Sequence, residues 1–108
     1  MSESLFLLLV AHALADFPLQ GDFLSKAKNH LAPIPGVQWW QAMAAHCLIH
    51  AGAVWLILRS PTFAAMEFVA HFIIDHQKCA GRITFGGDQL LHIACKVAYV
   101  LIAWWIQP

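Results

Sequence analysis

Charge is what this sequence lacks. Only 11% of its 108 residues are charged, six acidic and six basic. Soluble domains carry roughly a quarter. The zero net charge excludes a basic face for nucleic acid and an acidic tail. Cysteine is scarce and odd in number. Cys47, Cys79 and Cys95 lie in or beside apolar segments, which argues for free thiols and against a disulfide framework. A cleaved signal peptide is not expected. Glu3 is the sole charge before His12, and no small-residue cleavage site precedes a soluble domain. Internal repeats and low-complexity segments are absent from the sequence.

What is present in excess is apolar surface. Hydrophobic residues make up 60% of the chain and mean hydropathy is +0.64. Four apolar segments stand out, at about Leu5–Gln20, Gln41–Leu58, Phe63–Cys79 and Gln89–Ile106. Each approaches the ~17–25 residues that cross a bilayer, the first and third being short. Backbone groups in lipid must pair internally, so helices are expected. Trp39, Trp40, Trp55, Trp104 and Trp105 lie at or near segment ends, as in interfacial belts. GDFLSKAKNH, after the first segment, reads as a short surface helix capped by Asp22, which APIPG then stops. Arg59-Ser60-Pro61 is a tight turn, and GRITFGG links the third segment to the fourth. The expectation is one all-α domain over residues 1–108, a four-helix transmembrane bundle running up-down-up-down. Lys26, Lys28 and Arg82 fall in the first and third connections and Arg59 in the second. The positive-inside rule then puts both termini outside.

Ionisable residues in such segments are costly and need partners. They follow a pattern. His12 and Asp16 lie in the first segment, and His46 and His50 in the second. His71 and Asp75 lie in the third, Asp88 and His92 in the fourth. Each pair is spaced i, i+4, which places it on one helix face. In an up-down-up-down arrangement all four pairs share one half of the bundle. Imidazole and carboxylate at such density suit a divalent metal: zinc first, with manganese or iron at a two-metal centre next. Five imidazoles and three carboxylates exceed the needs of one tetrahedral ion. Either two metals bind, or some groups orient ligands and take protons. Asp75 and Asp88 are the candidate acid–base groups, and Lys78, at the mouth, can meet a phosphate or snorkel.

Duller readings stand beside these. Asp88 follows Gly86-Gly87 and can simply cap the fourth helix. His12 and Asp16 can be a buried hydrogen-bonded pair, and HxxxH alone is a weak motif. His30 and His76 fall off the shared faces. Glu67 and Lys96, one turn deeper, are expected to form a buried ion pair, and Gln20 and Gln89 to line the mouth. Pro18 should kink or end the first helix.

AHALADFPLQ, HCLIH, HFIIDHQK and DQLLH, in that order, resemble a small phage and bacterial integral membrane family of unknown function. Their style is also similar to membrane-bound metal-dependent hydrolases. The resemblance implies a multi-pass protein of the bacterial inner membrane. It implies functional positions at the four pairs together with Gln20, Lys78 and Gln89. The expected function is a metal-dependent hydrolase reaching a lipid or phosphoester substrate from the interface. The alternatives are a non-enzymatic phage-type protein that conducts ions or protons or binds a host membrane partner, and a structural metal staple. Oligomerisation is left open.

Overall fold

The computed structural model describes residues 1–106; the last two residues of the expected domain lie outside the described residues. Five helices follow in order: α1 (Ser2–Asp16), α2 (Gly21–Ala27), α3 (Trp39–Leu58), α4 (Pro61–Cys79) and α5 (Phe85–Ile106). No strand occurs among the described residues. The four long helices pack in a ring: α1 and α4 each contact both α3 and α5. Helix α2 rests on α3.

Local chemistry sets the helix ends. Proline has no N–H, so Pro18 cannot continue the ladder of α1. The Leu14 carbonyl, left free by Pro18, accepts instead from the Leu19 N–H at 3.0 Å. Gly21 takes φ +63°, open to glycine without steric cost, and the chain turns so that α2 lies at 81° to α1. Asp22 sits in the first turn of α2 and makes no capping bond, contrary to expectation; Gln20 holds the cap position. Arg59 closes α3 in the left-handed conformation at φ 54°, its N–H bonded to the Trp55 carbonyl at 2.7 Å. Ser60 caps α4, its hydroxyl accepting from the Phe63 N–H at 3.2 Å, with Pro61 at the first helical position. Thr84 does the same for α5: its hydroxyl accepts from the Gly87 N–H at 3.0 Å. The fourth helix therefore starts at Phe85 rather than near Gln89, and Asp88 is not its cap.

The bundle has two storeys. At the end where α1 and α4 begin, Leu8, Val54, Phe63, Tyr99 and Val100 form the apolar core. The other half is polar. Ten polar or charged residues are buried, nearly as many as the twelve buried hydrophobic ones. Meanwhile Phe6, Leu48, Leu56, Leu90 and Trp105 are among many large apolar side chains facing outward. Soluble proteins invert this arrangement. Length and composition qualify α3 and α5 as membrane spans, and α1 with α2 only as a bent pair. Four spans were expected. Helix α1 has just 15 residues, and α4 carries Glu67, Asp75 and Lys78. Two of these α4 charges, Glu67 and Asp75, are buried against the other helices.

Arg59 gives the fold its first test. A left-handed non-glycine residue costs about 1 kcal/mol. Arg59→Gly is expected to hold or raise the unfolding temperature in detergent, and Arg59→Val to lower it.

Candidate metal centre

The helical pairs were expected at one site; their ligand atoms gather in two groups, and His12 joins neither. Helix α1 delivers Asp16, α3 His46 and His50, and α4 His71, all turned inward by the 100° step between residues. Their ligand atoms lie within 4.8 Å of one another. Asp16 Oδ1 lies 2.9 Å from His50 Nε2, 3.2 Å from His46 Nε2 and 3.7 Å from His71 Nε2. His46 Nε2 and His71 Nε2 face each other at 3.1 Å. Three imidazole nitrogens and a carboxylate oxygen thus aim at one point. These residues could hold a metal ion.

A second group adjoins the first. Asp75, Asp88 and His92 also bring ligand atoms within 4.8 Å, and all three are buried. Asp75 Oδ2 lies 3.4 Å from His46 Nε2. Gln89 joins the two groups: its amide donates to Asp16 Oδ2 at 2.8 Å and to Asp88 Oδ2 at 3.2 Å. His12 stands outside both groups. Its Nε2 pairs with Gln89 Oε1 at 3.0 Å and lies 3.4 Å from Asp16 Oδ2. Gln20 donates to the Asp16 carbonyl at 2.9 Å.

Beneath the first group, Glu67 and Lys96 pair as expected, at 2.6 Å. The same Glu67 oxygen lies 3.1 Å from His71 Nδ1, so that nitrogen carries the ring proton. The lone pair of a neutral His71 is then fixed on Nε2, facing the site. The Tyr99 hydroxyl donates to the other Glu67 oxygen at 3.0 Å. Tyr99, the chain's single tyrosine, was not anticipated; its spacing of three from Lys96 was the available clue.

Lys78, expected at the mouth of the site, lies past Asp75 on α4. Three residues on, it is rotated off that face, and its Nζ lies 5.1 Å from the centre of the Phe85 ring. Lys28, from the connection after α2, reaches Asp75 instead. It is 3% exposed and donates to Asp75 Oδ2 at 2.5 Å and to Gln20 Oε1. One indirect signal was available: Lys96 alone is too little cation for four inward carboxylates. His30 and His76 lie apart, stacked at 4.0 Å beside Trp39. The three cysteines are free, Cys47 fully buried.

Asp16, Glu67, Asp75 and Asp88 carry four negative charges, while Lys28 and Lys96 carry two positive ones. With neutral histidines the interior is two charges short of balance. One divalent cation supplies the difference.

Residues 4–108 match the model of a family described as protein of unknown function (DUF3307). The chain belongs to this family. No curated protein and no solved structure matches it. Among the motifs of this DUF3307 chain, HCLIH supplies two ligand candidates and AHALADFPLQ supplies Asp16, Gln20 and the bend that carries Lys28 inward.

Removing one partner of a buried ion pair leaves a bare charge, at about 3–5 kcal/mol. Glu67→Gln or Lys96→Met is expected to lower the unfolding temperature sharply. The double variant Glu67→Met, Lys96→Met should recover much of the loss. Thermal melts in detergent check this.

Proposed function

We propose that this protein is a multi-pass membrane metalloprotein that hydrolyses a lipid phosphoester. One observation carries the reading: Nε2 of His46, His50 and His71 converge with Asp16 Oδ1 inside a bundle whose outer surface is apolar. A buried set of this kind is expensive unless a cation balances it. Asp16, His46, His50 and His71 would hold the ion, and zinc suits three imidazoles with one carboxylate. When bound, the ion supplies Lewis acidity and lowers the pKa of water.

The chain's own groups supply the rest. Glu67 fixes the tautomer and aim of His71. Asp88 Oδ1 is buried without a hydrogen-bond partner among the described residues, which leaves its lone pairs open toward the site. Lys28 pairs with Asp75 and fixes the position of its carboxylate. An apolar groove of about 620 Å³ runs between α1 and α3, past Ala11, Ala15, Leu19, Leu48 and Trp55. Its lining is apolar and suits an acyl chain, which favours a lipid over a soluble phosphoester. In this reading α1 with α2, α3, α4 and α5 all cross the bilayer. The charges of α4 face partners within the ring, where they are tolerated. The bacterial inner membrane is the location that the family resemblance implies.

A proton-relay reading has its own support: His46 contacts His71, which contacts Glu67, which contacts Lys96 and Tyr99. Metal content separates the two. Detergent-purified protein never exposed to chelator is expected to hold a divalent metal, by elemental analysis. His50→Ala or His71→Ala should lower it and His30→Ala should not. Ligand histidines must be deprotonated, so occupancy should fall as the solution is acidified. A converged site without metal would favour the relay.

Topology has a separate test. Reporter fusions at the two termini are expected to report the same compartment, outside the cytoplasm. Opposite compartments would refute four crossings.

A further inference from the structure

The two groups of candidate ligands differ in chemistry. The first offers three imidazole nitrogens and one carboxylate. The second, Asp75, Asp88 and His92, offers two carboxylates and one imidazole. In the second, Asp88 Oδ1 and both ring nitrogens of His92 are buried and have no hydrogen-bond partner among the described residues. Asp88 and His92 are each 1% exposed. Oδ1 and Nε2 sit 3.2 Å apart without hydrogen-bond geometry. Leaving such atoms unpaired costs about 1–3 kcal/mol each, so the position calls for a ligand.

We infer that Asp75, Asp88 and His92 form a second, exchangeable divalent-cation site beside the first. The inference rests on reading the first group as a metal centre. Oxygen-rich sets select harder cations, so this site takes manganese or magnesium while the nitrogen-rich one keeps zinc. The two are contiguous: Asp75 Oδ2 lies 3.4 Å from His46 Nε2, and Gln89 bonds both Asp16 and Asp88. Asp16, His46, His50 and His71 would hold one ion and Asp75, Asp88 and His92 the other, and such a pair would supply charge stabilisation to phosphoryl transfer. The first ion already balances the interior charges, so a second leaves an excess of two positive charges, and Lys28 adds to the repulsion that makes this ion exchange. The Lys28 ammonium, 2.5 Å from Asp75 Oδ2, already neutralises one ligand and repels an incoming cation.

The test is a manganese titration of full-length, zinc-loaded protein in detergent, followed by the electron paramagnetic resonance of free Mn²⁺. The wild type is expected to bind one manganese and one zinc. Asp88→Asn and His92→Ala should each weaken manganese by at least about a hundredfold while retaining zinc. Lys28→Met should tighten it by about tenfold or more. His30→Ala should change neither. Zinc-loaded wild type that takes up no manganese overturns the second site and leaves the first intact. So does unchanged manganese affinity in His92→Ala. Loss of both metals in His92→Ala also overturns it, because one shared site would then account for both. A wild type that never holds zinc fails the proposed function itself, and the two-site division falls with it.

Discussion

One carboxylate ties the two halves of this molecule together. Glu67 has 0% exposure, and it accepts from Lys96 at 2.6 Å and from Tyr99 at 3.0 Å. Tyr99 belongs to the apolar storey, packed with Leu8, Val54, Phe63 and Val100. His71, on the other side of Glu67, belongs to the polar storey. The same buried ion pair therefore seals the core and sets the tautomer of a ligand candidate. Buried pairs are poor sources of net stability, but they are strict about geometry. Here that strictness is delivered at His71 Nε2, where the first candidate site begins.

The inverted distribution of polarity follows from the same economy of partners. Helices α3 and α5 expose leucine, isoleucine, valine and tryptophan, while His46, His50, Asp88, His92 and Lys96 point inward. Three inward carboxylates have a partner from another segment: Lys28 for Asp75, Lys96 for Glu67, the imidazoles for Asp16. The helices are thereby fixed in rotation as well as in contact. Shifting any one by a residue would turn its pair about 100° away. Two carboxylate charges remain to be balanced, which is where a divalent cation enters the account.

Much of the site was legible in the sequence because the α-helix fixes direction. An i, i+4 pair faces one way whatever the sequence around it, so four such pairs at matched depth had to converge if the bundle alternated. Glu67 and Lys96 were legible for the same reason. Lys28 was not. It reaches Asp75 only because the chain bends by 81° after Pro18 and Gly21, and no periodicity crosses such a bend. Lys78 is close to Asp75 along the chain but is rotated off its face. Asp88 was ambiguous until Thr84 proved to be the cap of α5. The number of membrane spans was less legible still. Hydropathy registers the charges of α4 without regard to their direction, and it splits α1 from α2 at the bend.

The central claim is that three histidines and an aspartate hold the first metal. X-ray absorption at the zinc edge of full-length protein in detergent tests it most directly. The account requires a first shell of nitrogen and oxygen near 2.0–2.1 Å, with outer-shell imidazole scattering from three rings. Cys47 is buried beside His46 in sequence, so a competing ligand is at hand. A sulfur scatterer near 2.3 Å, or a shell without imidazole scattering, would contradict the account.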